Sequence, residues 1–346
     1  MGFVLFKDSF QRYDVGGGAG VIANLHQRYT ALSGAPEIIT SSFGQELSLA
    51  NSGISKTLQH SSRWVVGHRY RYGSTGLADG AIYELKNNTT QLFALFQDGD
   101  GTMSIRTNNG GTVLAVTDRA LLADIRYMIE WDVTLGGGTP ITVTAELRIN
   151  GQVVASGGPT STGFNASQLL SLAADANVHR FSAAFGGAGT GSVLKDLYIK
   201  NEAGYEGDVR IVPIYPASDG GILDWTPDSG STHFDRVNSH PVDITKWLST
   251  ATPGNIDLWG FDSLPAFSGT IVGINISVLA QKDDEGTKSF KIVTGATGTD
   301  AESDEFFVSS NNPEYYEFSL KLDPLTGLPW TAAGVNALIA GVKCIS

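Results

Sequence analysis

The stretch Ile141-Thr-Val-Thr-Ala-Glu-Leu-Arg-Ile149, Asn150-Gly151, Gln152-Val-Val-Ala-Ser156 alternates apolar and polar residues on both sides of an Asn-Gly pair. Asn-Gly is the strongest short signal for a β-hairpin, because a two-residue type I′ turn needs positive φ at both central positions. The preceding run, Tyr127-Met-Ile-Glu-Trp-Asp-Val133, has a similar pattern and ends at a glycine-rich break. We therefore predict antiparallel strands here and an all-β chain.

Short strand-like runs recur from Phe3 to Asn201, and turns such as Asp98-Gly-Asp-Gly101 separate them. Glycine, asparagine and aspartate adopt the backbone conformations that tight turns need. Regular short strands joined in this way are typical of a β-sandwich or jelly roll. A helical turn is predicted only at Ala120–Ile125, and strands at Phe3–Phe6, Trp64–Tyr72, Ala81–Leu85, Gln91–Gln97, Thr102–Thr107, Thr112–Val116, Tyr127–Val133, Ile141–Ile149, Gln152–Ser156, His179–Phe185 and Val193–Ile199.

Two domains are expected, because 346 residues exceed the size at which one hydrophobic core usually stops growing. The segment around Asn201–Asp208 has no apolar period, so we place the boundary after residue 203. Residues 1–203 then form the sandwich domain, in which residues 1–60 are either a folded strand pair or an attachment arm. Residues 204–346 form a smaller β-rich domain.

The second domain begins with a proline-rich stretch, Pro213–Phe267, that has few strand patterns. Within it, Asp243 is predicted to cap a short helix through Leu248, and Thr331 is predicted to cap a helix over Ala332–Leu338. Strands are predicted at Thr270–Ala280, Lys288–Val293, Phe306–Ser309, Tyr315–Leu322 and Ile339–Ile345.

The composition narrows the classes of partner. A net charge of −12 without a Lys/Arg cluster disfavours binding to nucleic acid, whose phosphates would be repelled. The one cysteine, Cys344, cannot form an intrachain disulfide. The chain has neither a signal-peptide pattern nor an apolar run near 18 residues, so we expect synthesis in the cytoplasm and no membrane insertion.

Two long stretches carry a resemblance to a known family. They are Asp196-Leu-Tyr-Ile-Lys-Asn201 continued through Gly207-Asp-Val-Arg-Ile211 to Trp225, and Leu322-Asp-Pro-Leu-Thr-Gly-Leu-Pro-Trp330 continued to Lys343. They resemble virion structural proteins of tailed bacteriophages. The order strand, Asn-Gly, strand, glycine turn, Lys195-Asp-Leu-Tyr-Ile199 resembles the last third of a concanavalin A-like, laminin-G-type jelly roll.

The resemblance implies a fold and a location. The expected fold is a concanavalin A-like β-sandwich followed by a second, smaller β-rich domain. The expected location is the virion, in the tail or on the capsid surface, with other virion proteins as partners. Strand edges in a glycine-rich sandwich with few charged residues also favour a homo-oligomer. The family brings no catalytic residue to this chain.

Catalytic motifs are incomplete in the sequence. Glycosidases of concanavalin A-like fold carry Glu-x-Asp-x-Glu or Glu-x-Asp-x-x-Glu on one strand, so that carboxylates on one face act as nucleophile and acid. Here Glu130-Trp-Asp132 is followed by threonine and leucine where the second glutamate is needed. We therefore expect a protein that is not an enzyme, with a glycan depolymerase as the least favoured alternative.

Metal and cofactor motifs are also incomplete, and we expect neither. The turn Asp98-Gly-Asp100 lacks the glycine and glutamate of a calcium loop, Asp300–Glu305 reads as a solvated acidic loop, and Gly16–Gly20 lacks the lysine of a phosphate loop. The histidines lack the spacing that places two imidazoles on one metal; they are His26, His60, His68, His179, His233 and His240.

Aromatic residues are the remaining candidates for binding. Trp64, Tyr70 and Tyr72 share one face of a strand, which is either a platform for glycans or, as we favour, part of the core with the opposite arginine face exposed. Trp225, Trp247 and Trp259 lie in the proline-rich region and are candidates for a subunit or domain interface. The sequence thus favours a virion structural protein that mediates assembly or host attachment; the alternative is a carbohydrate- or receptor-binding module.

Overall fold

A computed structural model describes residues 4–9, 29, 31–33, 36–41, 44–48, 53–58, 61–71, 73, 80–87, 90–107, 111–137, 140–161, 179–184, 193–309 and 311–346. The chain divides into two compact units, Met1–Ile211 and Val212–Ser346. The sequence placed this boundary earlier, after residue 203. Residues 204–211 belong to the first unit because Tyr205 and Val209 pack on its sheet against Val65, Met128 and Tyr198.

The first unit is built from short strands. In chain order they are β1 (Val4–Asp8), β2 (Ala31–Ser33), β3 (Glu37–Ser41), β4 (Gly44–Ser48), β5 (Gly53–Leu58), β6 (Arg63–Arg71), β7 (Gly80–Asn87), β8 (Thr90–Gln97), β9 (Met103–Thr107), β10 (Val113–Val116), β11 (Tyr127–Leu135), β12 (Thr142–Ile149), β13 (Gln152–Ser161), β14 (His179–Ala184) and β15 (Val193–Lys200).

These strands form two antiparallel sheets. Sheet A has the order β13-β12-β11-β6-β15-β4-β3, and β1 pairs with the second half of β15. Sheet B has the order β10-β9-β8-β7-β14-β5-β2. Both sheets contribute to one core, so the predicted all-β class and its β-sandwich are confirmed.

The hairpin that decided the fold forms as predicted. Ile149 pairs with Gln152, and the two residues between them have positive φ, 51° at Asn150 and 79° at Gly151. Asn150 also fixes the neighbouring strand, because its Oδ1 accepts a hydrogen bond of 2.9 Å from the backbone N–H of Met128. The turn therefore links three strands of sheet A.

The core lies between the sheets and is rich in aromatic rings. Trp64 and Trp131 of sheet A are fully buried, and the ring of Phe93 from sheet B lies 6.4 Å from that of Trp64. At one edge the sheets meet so closely that a Cβ on Gly157 of β13 would lie 1.4 Å from the carbonyl oxygen of Leu114 in β10. Only glycine fits at that edge.

Ala120–Ile125 and the stretch before β6 are among the parts of the first unit that differ from the sequence prediction. Ala120–Ile125 is not helical, because Leu121 and Leu122 donate their backbone N–H groups to Gly101 and to the hydroxyl of Tyr127 instead of to the preceding turn. The stretch from Gly34 to Ser62, for which no strand was predicted, contributes β3, β4 and β5.

The second unit has its own sheet, in the order β16-β19-β25-β21-β22 with β23 also paired to β21, and two separate hairpins, β17-β18 and β20-β24. Its elements are β16 (Pro216–Leu223), β17 (Thr226–Pro227), α1 (Phe234–Val237), β18 (Leu248–Ser249), β19 (Ile256–Phe261), β20 (Ile274–Ala280), β21 (Lys288–Thr294), β22 (Ala301–Glu302), β23 (Phe306–Val308), β24 (Glu314–Leu320), α2 (Ala332–Asn336) and β25 (Ile339–Cys344).

The two helix caps predicted for this unit have different outcomes. Thr331 caps α2, because its Oγ1 accepts from the N–H of Gly334 at 3.0 Å. Asp243 caps no helix: its Oδ1 accepts from the backbone N–H and the hydroxyl of Thr245, which closes a turn. Among the described residues, no helix has the length and hydropathy needed to cross a membrane.

Candidate functional site

The outer face of sheet A carries a group of charged side chains that the strands hold in place. Strand side chains alternate, so the neighbours of the buried Trp64, Ile129, Trp131 and Leu147 point away from the core. The side chains on this outer face are Arg63, Arg69, Glu130, Asp132, Glu146, Arg148, Asp196, Tyr198 and Lys200.

A bulge in β15 determines what that strand presents. The pairing of β15 with β6 shifts between Lys195 and Tyr198, and Asp196 has a φ of +50°. Leu194, Leu197 and Ile199 all reach the core, while Asp196 and Tyr198 lie on the outer side. The extra residue therefore adds a carboxylate to the outer face without turning the apolar side chains outward.

Residues 201–211, which we call the strap, cross this face without forming a strand or a helix. The N–H of Gly207 donates to Oε1 of Glu130 at 2.8 Å, and the N–H of Ile211 donates to Oδ1 of Asp196 at 3.2 Å. Two ion pairs add to these contacts: Lys200 with Glu206 at 2.6 Å, and Arg69 with Asp208 at 2.5 Å. The strap is thus held mainly by polar groups.

Glu130 lies at the centre of the covered part. Its side chain is fully buried, and Oε1 accepts hydrogen bonds from the Tyr198 hydroxyl at 2.5 Å and from Gly207. Within the described part of the chain, Oε2 of Glu130 accepts no hydrogen bond. Burial, and then the hydrogen bond to the Glu130 carboxylate, raise the pKa of Tyr198, so this hydroxyl stays a donor.

Beside the strap, four side chains form a partly exposed group that we call the arginine–carboxylate patch: Arg63, Asp132, Glu146 and Arg148. Arg63 binds Asp132 through two guanidinium nitrogens, and Nε of Arg148 lies 2.9 Å from Oε1 of Glu146. Arg63, Glu146 and Arg148 are each about one-third exposed. The carboxylate raises the pKa of each arginine, so the patch carries paired charges of both signs.

The strap also reaches this patch through Tyr205. The guanidinium carbon of Arg148 lies 4.0 Å from the centre of the Tyr205 ring, and the Tyr205 hydroxyl donates to the carbonyl oxygen of Glu146 at 3.3 Å. Burial and the nearby Glu146 carboxylate raise the pKa of Tyr205. An aromatic ring and a hydroxyl of the chain itself therefore occupy one side of the patch.

Glu130 and Asp132 do share one polar face of β11, as the sequence indicated. The motif still lacks its third carboxylate on the same strand, since Thr134 follows Asp132. A carboxylate does stand beside them on the next strand, because Glu146 of β12 pairs with Asp132. The i, i+2 pair Glu146 and Arg148 on the polar face of β12 was the signal that could have revealed it.

Of the two alternatives for the aromatic face of β6, the structure agrees with the favoured one, a place in the core, for the residues that it describes. Trp64 and Tyr70 are buried between the sheets, and the hydroxyl of Tyr70 donates to Oε1 of Gln97 at 2.7 Å. Neither ring can stack on a sugar, because β6 lies inside sheet A with sheet B over that face. Tyr72 lies outside the described residues.

The opposite side of β6 is not the open arginine face that the sequence suggested. Arg63, Arg69 and Arg71 are only partly exposed, and each pairs with an acidic side chain from another segment. The middle of this face is covered as well, since Val65 is fully buried under the strap. Acidic partners and the strap together explain why these positive charges could be placed on an inner strand.

The three tryptophans of the second unit have different environments. Trp259 is buried in the core of that unit, which corrects its prediction as an interface residue, because β19 lies inside the sheet. Trp225 packs on the same core, and its Nε1 donates to the carbonyl oxygen of Asn255 at 3.3 Å. Trp247 is 53% exposed, and an interface role for it stays a prediction.

The histidines and the acidic loops that were considered as metal ligands take part in separate local interactions. His233 is hydrogen-bonded, with Nδ1 3.0 Å from both carboxylate oxygens of the buried Asp257. Asp98 pairs with Arg106, and Glu302 pairs with Lys291 and Lys343. No group of three or more potential metal ligands occurs among the described residues, while His26 and His60 fall outside them.

His68 is a fully buried titratable group of the sandwich. Its ring centre lies 4.1 Å from that of Tyr83, and neither ring nitrogen forms a hydrogen bond within the described residues. Burial lowers the pKa of His68 to about 3, so the imidazole is neutral in the fold. Alternation along β6 predicted its place beside Trp64 and Tyr70 but not its lack of a partner.

No protein-family model and no curated protein matches this chain. Solved structures do, including domain 4 of the GH43 extracellular arabinanase AbnA from Geobacillus stearothermophilus in complex with arabinotriose. That domain is 15% identical over 58% of this chain and 93% of its own length, with a TM-score of 0.41. The galectin LEC-6 of Caenorhabditis elegans is 15% identical over 42% of this chain and 88% of its own, with a TM-score of 0.27.

A sialidase of Trypanosoma rangeli is 8% identical over 48% of this chain and 27% of its own, with a TM-score of 0.33. Enzymes thus stand among the similar structures. The expectation that this chain is not an enzyme is therefore corrected. An all-β fold and an incomplete sequence motif are not sufficient grounds to exclude catalysis. At these identities and TM-scores the comparisons assign this chain no family, substrate or catalytic residue.

Proposed function

We propose that the first unit binds carbohydrate through the outer face of sheet A, on the surface of a bacteriophage particle where it attaches the virion to its host. The observation that carries the binding proposal is the arginine–carboxylate patch. Four planar groups stand on one face of three neighbouring strands, with the side chains of Arg63, Glu146 and Arg148 about one-third exposed.

The chemistry of the patch suits hydroxyl-rich ligands. A sugar presents neighbouring hydroxyls that both donate and accept, and carboxylates and guanidinium groups are the side chains that bind such pairs at two atoms each. The charges of the patch are paired, which disfavours a strongly charged ligand, and the net charge of −12 disfavours polyphosphates. A neutral or weakly charged oligosaccharide remains the best match.

The position of these four side chains on paired strands supports the same proposal. Arg63, Asp132, Glu146 and Arg148 come from β6, β11 and β12, and β11 lies between the other two strands and pairs with both over most of its length. Groups on paired strands keep their spacing when a ligand binds, so less ordering is needed on association. This arrangement is that of a preorganised binding site.

Binding is tested on a printed array of defined bacterial and plant oligosaccharides, followed by calorimetry on the best glycan. Glu146→Gln keeps the shape of the side chain and removes its charge, and we expect about tenfold weaker binding. Asp98→Asn is the control, since Asp98 pairs with Arg106 on the opposite sheet at 2.6 Å. Mass spectrometry of the recovered glycan shows whether it was cleaved. Absence of any binding glycan, or equal affinity in both variants, would refute this assignment.

The virion setting is supported only by the residues that resemble phage structural proteins, Asp196–Trp225 and Leu322–Lys343. Cryo-electron microscopy of a purified particle tests it. We expect density for this chain on the outside of the tail or capsid, repeated by the symmetry of a homo-oligomer, with the outer face of sheet A toward solvent. A purified particle that lacks the chain would overturn the virion role without affecting the binding proposal.

A further inference from the structure

We infer that the strap is an internal competitor for the glycan: it occupies the outer face of sheet A as a ligand would, and the Glu130 carboxylate beneath it is a second binding group for sugar hydroxyls. This inference rests on the proposed carbohydrate binding and adds a subsite and its regulation. It starts from the groups that the strap presents to the face.

Two contacts of the strap are hydrogen-bond donations that sugar hydroxyls could also make. The strap offers a hydroxyl to the carbonyl oxygen of Glu146 and an N–H donor to Glu130. The Glu130 carboxylate binds only through Oε1, and Oε2 accepts no hydrogen bond from the described residues although the side chain is fully buried. A buried carboxylate oxygen normally has a donor, and a sugar with two neighbouring hydroxyls supplies two.

The strap has few apolar contacts with the sheet. Tyr205 and Val209 are its apolar contacts with the sheet, and Asp208 of its ion pair with Arg69 is 63% exposed. Its one internal backbone hydrogen bond among the described residues runs from Val209 to Gly207. Segments with few buried apolar groups and little backbone hydrogen bonding are those that open locally below the global unfolding free energy.

Gly207 allows a precise perturbation of the strap. Its φ of +74° is unfavourable for any residue with a Cβ, yet no atom lies within 4 Å of the position that a Cβ would take. Gly207→Ala therefore disfavours the closed strap without a clash. Gly230 in the second unit is a matched control, with a φ of +73° and equally open space.

The experiment measures hydrogen exchange at residues 204–211 and the affinity for the best array glycan in the wild type, Gly207→Ala and Gly230→Ala. We expect exchange of the strap to rise about fivefold in Gly207→Ala and glycan affinity to rise by a similar factor, because apparent affinity scales with the open fraction. Gly230→Ala should match the wild type. Saturating glycan should speed strap exchange in the wild type.

The possible failures are distinguishable. If the wild type and Gly207→Ala bind glycan equally although exchange of the strap differs, the competitor inference is overturned and carbohydrate binding stands. Slower strap exchange with bound glycan would also overturn it, since the strap would then be part of the binding site. If neither protein binds any glycan on the array, the proposed function itself fails.

Discussion

The ring of Tyr198 lies against the backbone of Gly67 on the neighbouring strand, so closely that a Cβ at position 67 would stand 2.2 Å from Cε1 of the ring. Gly67 therefore leaves the space that the Tyr198 ring occupies in the covered part of the outer face. With the ring in this position, the hydroxyl of Tyr198 reaches Glu130. Any side chain at position 67 would move both groups.

Gly67→Ala tests this relationship. We expect a loss of about 1–3 kcal/mol in the free energy of unfolding, because the Tyr198 ring must shift. The pairing of β6 with β15 before and after position 67 limits how far the backbone can move to make room. Urea denaturation measures the change. Gly137→Ala is the control, since no atom lies within 4 Å of its Cβ position, and it should change stability by less than about 0.5 kcal/mol. Equal effects would show that the contact is not restrictive.

Tyr198→Phe should cost more than Tyr205→Phe. The first removes a 2.5 Å hydrogen bond to a fully buried carboxylate, and loss of a donor from such a group costs about 1–3 kcal/mol. The second removes a long 3.3 Å hydrogen bond to a carbonyl oxygen, and we expect less than about 1 kcal/mol. Thermal unfolding of both variants compares them directly. A smaller loss in Tyr198→Phe would mean that Glu130 is satisfied in another way.

His68 should make the first unit sensitive to acid. Its pKa is about 3 in the fold, against an ordinary value of 6.5, so between these values the unfolded chain binds a proton that the folded chain does not. His68 then contributes a rise in stability with pH in this window, of about 1.4 kcal/mol per pH unit. Between pH 4 and 6 the slope of stability against pH should be lower by this amount in His68→Leu than in the wild type. The control, His240→Asn, changes an exposed histidine and should keep the wild-type slope.

Asp196 should act in the opposite direction. Burial raises its pKa to about 6 from an ordinary 3.8, while Arg69, Lys195, Arg210 and the N–H of Ile211 oppose the rise. The folded chain therefore binds the extra proton between these values, and stability falls as pH rises through them.

Asp196→Asn keeps an acceptor for Ile211 and suits the φ of +50°. Relative to the wild type, it should gain about 2–3 kcal/mol in unfolding free energy between pH 4 and pH 7. Denaturant titrations at both pH values measure the gain. A constant difference between the two proteins would contradict a raised pKa for Asp196.

Most of the sandwich could be predicted because its strands have strong local signals. Asn150-Gly151 and the alternation around it fix three strands of sheet A by themselves. The strands β3, β4 and β5 escaped prediction since their runs are short, rich in serine and threonine, and stabilised by pairing with distant strands such as β14 and β15. Asp243 shows the converse: a good capping residue closed a turn, because no amphipathic helix follows it.

Only part of the candidate site could be predicted from the sequence. The position of Glu130 and Asp132 on one face follows from the period of two along β11. The partners of these carboxylates come from β6, β12, β15 and the strap, and no spacing along the chain predicts which distant residues meet there. The aromatic residues of β6 illustrate a further limit, since alternation shows which residues share a face but not whether another sheet covers it.

The bulge at Asp196 has a consequence for how such a chain can change by insertion or deletion. A chain without this one residue would keep Leu194, Leu197 and Ile199 facing the core by simple alternation, and the same sandwich could form. It would lose the carboxylate that receives the end of the strap at Ile211. One inserted codon is thus enough to add or remove the last anchor of the strap on a sheet that is otherwise unaltered.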